Sequence, residues 1–185
     1  MFRPQKHTVA GFALLMLAAF LGGMLATPAL QALIARHNLR LNTTPSLPVG
    51  LYQRTSSSKL ISFCVDEPYA RLALERGYRS RGAVEPCGDG GEPLLKQIVA
   101  EEGDLVTLSA EGLAVNGALL PNSRPLRLDS AGRTLRGFPF GSYITRHGEV
   151  WVVNSYNRLS FDSRYYGPVR IAEIREYLKT LLVIP

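Results

Sequence analysis

Three groups of residues have types that can do chemistry together: a serine in a proline-bounded run, a lysine in an apolar stretch, and a Ser/Asp/Arg block near the C-terminus. Ser46 lies in Asn42-Thr43-Thr44-Pro45-Ser46-Leu47-Pro48-Val49-Gly50-Leu51-Tyr52. Pro45 and Pro48 lock their own φ and restrict the residue before them, which limits how far the Ser46 side chain wanders. Gly50 supplies a flexible joint into the next segment. A hydroxyl is a poor nucleophile unless a base takes its proton. Lys96 is the candidate base. In Leu94–Ala100, read as a strand, Leu94, Lys96, Ile98 and Ala100 share a face because side chains alternate. An ammonium among apolar neighbours loses hydration, its pKa falls, and the neutral fraction near pH 7 can accept a hydroxyl proton. The competing reading is a strand-edge lysine whose stem packs while its head reaches water.

The third group is Ser160-Phe161-Asp162-Ser163-Arg164-Tyr165-Tyr166-Gly167-Pro168. Read as extended, it points Ser160 and Asp162 to one face, where they could orient an amine. Arg164 can pair with Asp162, and taken alone that pair reads as a surface ion pair worth under about 1 kcal/mol. Histidine is a poorer base here. His7 precedes the long apolar segment, His37 sits at its edge, and His147 reads as a surface residue in a hairpin turn. Two cysteines and three scattered histidines lack metal-ligand spacing, so no metal and no cofactor is expected.

These groups need elements to position them. Val49–Thr55 and Leu60–Val65 read as strands around a Ser56-Ser57-Ser58 turn. Asp66 reads as the cap of a short helix with Pro68 in its first turn and Gly77 closing it, Tyr69, Leu72 and Ala73 sharing one face. Arg79–Glu92 is a Gly-rich loop. Leu94–Ala100 and Leu105–Leu108 read as strands, and Glu111-Gly112 and Asn116-Gly117 as tight turns. Pro121–Pro139 is a long Gly/Pro-rich connection. Tyr143–Thr145 and Glu149–Val153 read as a hairpin about His147-Gly148, Val169–Ile174 as a last strand, and Tyr177–Leu182 as a short helix. The expected fold is mainly antiparallel β with short helices.

The chain has 185 residues, enough for one ordinary domain and a separate N-terminal element. Thr8 to Ala35 carries no charge, and about 20 apolar residues suffice to cross a bilayer. Arg3 and Lys6 before it favour a cytoplasmic N-terminus, although Arg36 and Arg40 weaken that vote. The expected organisation is a tail and transmembrane anchor over 1–40 and a periplasmic domain over 41–185. The small residues around Thr27-Pro28-Ala29 leave a cleaved leader as the alternative to an anchor. Cys64 and Cys87 suit an oxidising compartment; a bridge between them would add about 3 kcal/mol in the chain-entropy picture, with two free thiols as the alternative. The net charge of +6 comes from arginines spread along the chain, which favours a solvated surface or acidic phospholipid over nucleic acid.

The motifs in order resemble the conjugative-transfer signal peptidases, the TraF-type branch of the signal peptidase I superfamily of Ser/Lys proteases. The match rests on Asn42-x-Thr44-x-Ser46-x-Pro48-x-Gly50-Leu51-Tyr52, on Leu94-Leu95-Lys96 with Gly103-Asp104, and on Ser160-x-Asp162-Ser163-Arg164-Tyr165-x-Gly167-Pro168. Proline follows Ser46 by two positions rather than three, no methionine follows it, and Asn154–Arg158 stands near the place of a Gly-Asp-Asn-Arg-Asp run. These departures from the general leader peptidase pattern fit the conjugative branch. The resemblance implies a signal-peptidase-like β fold, Ser46 as nucleophile and Lys96 as general base. It also implies an oxyanion hole from the Thr44 hydroxyl and the Ser46 N–H, a Ser160 hydroxyl bonded to the lysine amine, and Asp162 as an acidic residue needed for activity. The implied substrate is a pilin or other signal-bearing precursor, met at the outer face of the bacterial inner membrane and cut or cyclised through an acyl-enzyme. A general leader peptidase and a non-catalytic assembly protein of a conjugation apparatus are the alternatives.

Overall fold

The computed structural model describes residues 36–42, 47–82 and 86–183. Thr8–Ala35, Thr44 and Ser46 lie outside the described residues. Among the described residues no helix is long and apolar enough to cross a membrane. The chain divides into two compact units, Met1–Arg40 and Leu41–Pro185.

The second unit is mainly antiparallel β. Its strands are β1 (Leu39–Asn42, which begins in the first unit), β2 (Gly50–Thr55), β3 (Leu60–Phe63), β4 (Leu94–Ala100), β5 (Leu105–Leu108), β6 (Leu113–Val115), β7 (Ala118–Leu119), β8 (Gly141–Ile144), β9 (Glu149–Val152), β10 (Val169–Arg170) and β11 (Ile174–Val183). Helix α1 is Tyr69–Glu75 and α2 is Ser163–Tyr166. One sheet runs β1-β2-β11-β3-β4-β9-β10 and a smaller one β7-β6-β5-β8.

Strand β9 is apolar on both faces, and both faces are used. Val150 and Val152 join Ile61, Phe63, Leu94, Ile98, Phe161, Tyr165 and Tyr166 in one core, whereas Trp151 and Val153 join Val106, Leu108 and Leu113 in another. A strand buried on both sides reads as a continuous apolar run, as Val150–Val153 does. Strand β4 divides likewise, with Leu95 packing into a third core beside Leu47, Tyr52 and Leu178. Ala100 falls in the Trp151 core, away from Leu94 and Ile98, where the β4–β9 register shifts between Ile98 and Ala100.

Three expectations from the sequence are corrected. Tyr143–Thr145 and Glu149–Val153 do not form a hairpin: β8 pairs with β5 and β9 with β4 and β10. The turn at His147-Gly148 carries the chain from one sheet to the other, which lets Tyr143 and Trp151 pack with ring centroids 5.5 Å apart. Tyr177–Leu182 is not a helix but part of β11, which fills the slot between β2 and β3 and hydrogen-bonds along both edges. Its Ile, Tyr, Thr and Val content suits that slot, and buried Leu178 anchors it. Asp66 does not cap α1; its carboxylate receives Arg170 Nη2 at 2.9 Å, and Pro68 occupies the cap position without a side-chain bond.

Gly50 is needed for space rather than as a joint. A Cβ there would lie 2.2 Å from the Leu182 carbonyl oxygen of β11. At the other end, Gly167 closes α2 at φ 77°, where a Cβ would also strike the Phe138 ring.

Cys64, directly after β3, and Cys87, in the loop before β4, form a disulfide with Cα atoms 5.7 Å apart. It ties the Gly-rich loop down just ahead of the strand that carries Lys96. Replacing both cysteines by serine should lower the unfolding free energy by about 3 kcal/mol, read as a shift in urea midpoint under non-reducing conditions. An unchanged midpoint would show that the cross-link constrains nothing.

Candidate active site

Lys96 occupies the middle of β4 and is paired in register with Ile61 of β3. Because β4 lies between β3 and β9, the strand-edge reading of this lysine fails: it is an interior residue, 3 % exposed. Leu94 and Ile98 flank it on its own face and belong to the core that holds Phe161, Tyr165 and Tyr166. Burial pushes its pKa down from 10.5 to about 8; the Asp162 charge opposes the shift and the Arg164 charge assists it. At pH 7 roughly one amine in ten is then neutral, against about one in three thousand at the ordinary value.

Asp162 and Arg164 are both fully buried, so the expectation of a surface ion pair is corrected. The Asp162 backbone is extended, as expected, but the helix begins directly after it. Asp162 is the N-cap of α2, and its Oδ1 accepts from the Arg164 backbone N–H at 3.3 Å. The Arg164 guanidinium meets it in a fork, Nε to Oδ1 at 2.7 Å and Nη2 to Oδ2 at 2.8 Å, while the Asn154 backbone N–H donates to Oδ2 at 3.3 Å. The remaining guanidinium protons hold loops together: Nη1 donates to the carbonyls of Asn122, Arg124 and Arg158 at 3.2 Å each, and Nη2 to that of Ser160 at 2.7 Å. The long connection Pro121–Pro139 is thereby pinned to α2, and Phe138 N–H returns to the Arg164 carbonyl at 2.9 Å.

This fork decides what Asp162 can do for Lys96. A free carboxylate at hydrogen-bonding range would lock the amine as an ammonium. Here both carboxylate oxygens are engaged by Arg164 and by backbone N–H groups. Desolvation therefore prevails over attraction.

Ser160 is buried, but its Oγ has no hydrogen-bond partner, so the expected bond to the Lys96 amine is not made in this structure. The segment is held instead through the Ser160 carbonyl by Arg164, which fixes the backbone and leaves the hydroxyl unassigned.

Thr44 and Ser46 fall outside the described residues, but the residues that bracket them are held firmly. Asn42 Nδ2 donates to the carbonyls of Leu47 at 3.3 Å and Pro48 at 3.1 Å, and the Tyr52 hydroxyl donates to the Pro48 carbonyl at 2.6 Å. Leu47, the residue after Ser46, packs in the same core as Leu95, the residue before Lys96.

Sequence reasoning missed two members of this cluster. Ser163 Oγ accepts the Val152 backbone N–H at 2.9 Å and so fastens α2 to β9, and the Asn154 side chain bonds the backbone of β4. Asn154 precedes Ser155-Tyr156-Asn157, which reads as a polar turn; nothing in the residue types distinguishes a buried amide there from an exposed one. His147 is exposed and faces Glu102 at 2.8 Å. Among the described residues no group of three or more His, Cys, Asp or Glu could hold a metal ion. A 420 Å³ cleft lined by Glu67, Arg71, Leu74, Glu75, Arg79, Arg81 and Asp89 shares no residue with the Lys96 cluster.

The cluster thus offers a buried amine whose pKa is pushed down, on a strand whose Leu95 shares a core with Leu47. Comparison with known proteins supplies the family. Residues 12–179 match the family model described as signal peptidase, peptidase S26. A plasmid transfer protein TraF from Escherichia coli is 34% identical over 181 residues, covering 94% of this chain and 92% of that protein. A conjugal transfer protein TraF from Agrobacterium tumefaciens is 30% identical over 157 residues, covering 80% and 84%. Among solved structures, a signal peptidase I from Enterococcus faecalis V583 aligns with 69% of this chain and all of that one, at 16% identity and a TM-score of 0.36. On the family match and the length and identity of the TraF alignments, the chain belongs to the signal peptidase family, peptidase S26.

Proposed function

We propose that this protein is a membrane-anchored serine endopeptidase in which Ser46 is the nucleophile and Lys96 the general base. The observation that carries the reading is the burial of Lys96 in an interior strand with its pKa pushed down to about 8. Membership of the S26 family and the shared packing of Leu47 with Leu95 support it. In the proposed reaction the neutral Lys96 amine takes the Ser46 proton as the hydroxyl attacks the scissile carbonyl. The Thr44 hydroxyl and the Ser46 N–H receive the oxyanion, and the amine's proton passes to the leaving group. Asp162 acts through Arg164 and the backbone as a positioning residue. The acyl-enzyme is released by water, or by an amine of the substrate itself, which would close a ring.

The TraF names of the relatives favour a conjugative precursor, a pilin, over general secretory proteins. The Thr8–Ala35 segment would hold the catalytic unit at the periplasmic face of the inner membrane, on the same surface as a membrane-borne precursor. Mass spectrometry of a co-expressed pilin precursor tests the substrate and the fate of the acyl-enzyme, since uncut, hydrolysed and cyclised products differ in mass.

Ser46→Ala and Lys96→Ala should each leave the precursor uncut; normal processing by either variant would remove the dyad. Wild-type kcat/KM should rise about tenfold per pH unit below 8 and level off above it, because activity follows the neutral amine. A flat profile would contradict this. Stability carries the same signature with its own sign. The unfolded chain holds the Lys96 proton up to 10.5 and the folded chain only to about 8, so unfolding free energy should climb as pH rises from 8 to 10.5. Lys96→Met should lose that slope and be more stable at pH 7 by about 1–3 kcal/mol, measured by urea unfolding across pH.

A further inference from the structure

Strand β9 stops pairing with β4 before it reaches Lys96. The ladder runs through Ala100↔Trp151 and Ile98↔Val152, and the Val153 N–H still donates to the Gln97 carbonyl at 3.0 Å. The next residue should continue it, but the chain turns away, with Asn157 N–H closing onto the Asn154 carbonyl at 3.3 Å. Two backbone groups of β4 would then be left without protein partners: the buried Leu95 carbonyl and the partly buried Gln97 N–H, one on each side of Lys96.

The Asn154 side chain supplies both. Its Nδ2 donates to the Leu95 carbonyl at 3.1 Å and its Oδ1 accepts the Gln97 N–H at 3.1 Å. The chemistry fixes which end is which, since a carbonyl only accepts and an N–H only donates. A primary amide presents an N–H donor and a C=O acceptor in one plane, spaced much as in a peptide group, so it can stand in for one residue of a missing strand. Aspartate lacks the donor and alanine lacks both. Asn154 is 1 % exposed, and its own N–H donates to Asp162. One residue therefore connects the Asp162–Arg164 pair to the backbone on either side of the lysine.

We infer that Asn154 is a positioning residue for Lys96, holding the strand closed on both sides of the amine and keeping water from its base. The inference rests on Lys96 being the general base. The charged groups acting on Lys96 are Asp162, the N-cap of α2, and Arg164 within that helix, while its register partner on β3 is Ile61. Asn154→Ala leaves those charges in place and keeps the backbone N–H to Asp162. What it removes is the pair of bonds to β4, exposing the Leu95 carbonyl and the Gln97 N–H to water that would rehydrate the ammonium.

The test uses the full-length protein in detergent with a purified precursor, comparing wild type, Asn154→Ala, Asn154→Asp and Lys96→Ala from pH 6 to pH 10. Asn154→Ala should lower kcat/KM at pH 7 about tenfold, shift the rising limb about one unit upward, and recover near pH 9. Asn154→Asp adds a carboxylate and should shift the limb further. Amide exchange at Gln97 should accelerate in Asn154→Ala while Ile61, on the β3 side, stays protected. A loss of activity equal at every pH, or an unmoved limb, overturns the positioning role. If Asn154→Ala does not fold, Asn154→Ser, which can make at most one of the two bonds, must still move the limb upward from wild type. Normal processing by Lys96→Ala would instead remove the Ser/Lys reading itself, so the two failures are distinct.

Discussion

The buried fork between Asp162 and Arg164 is the interaction on which the rest of this site depends. Two opposite charges without solvent gain stability only when their geometry is good and their remaining hydrogen-bonding capacity is used. Both conditions are met: the fork is bidentate, and Arg164 spends its other protons on four backbone carbonyls drawn from two stretches of chain. The pair thus sets the path of the Pro121–Pro139 connection, the turn at Ser160 and the start of α2. Its arginine also sets a positive charge against the pull of the Asp162 carboxylate on the Lys96 amine. Breaking such a pair from one side typically costs about 3–5 kcal/mol, which makes it a rigid support for a chemically poised neighbour.

The sheet supplies the second constraint. A lysine at a sheet edge would reach water and keep its ordinary pKa. With β3 on one side, β9 and then the Asn154 amide on the other, and apolar residues above and below it on its own face, the amine has no such escape. Strand β11 completes the arrangement by filling the gap between β2 and β3, so that β2, which begins four residues after Ser46, and β4 belong to one continuous sheet. In the proposed function the same sheet would carry nucleophile and base, one in a loop entering it and one on an interior strand.

The sequence made some of this legible and concealed the rest for physical reasons. Strand β4 and the Lys96 position could be read from alternation within seven residues, and β5 likewise, because their pattern is local. The β8–β9 hairpin and the C-terminal helix were misread because pairing partners are set by packing across sheets. Tyr143 and Trp151 need facing positions, and β11 needs a slot between two strands that local propensity does not reveal. Asp162 and Arg164 could be seen as a pair, but their burial could not, since an Asp-x-Arg spacing is the same at a surface and in a core. Asn154 was invisible for a related reason: its role is to satisfy a backbone whose partner strand has ended, and that ending is a property of the fold.

The central claim is that the Lys96 amine loses its proton far more readily than an ordinary lysine. A direct measurement is a pH titration of the Lys96 side-chain nitrogen by NMR, in full-length protein labelled at lysine and carrying Ser46→Ala to prevent turnover. The account predicts a midpoint near 8 for this one lysine. A midpoint near 10.5, alongside the other lysines, would contradict it.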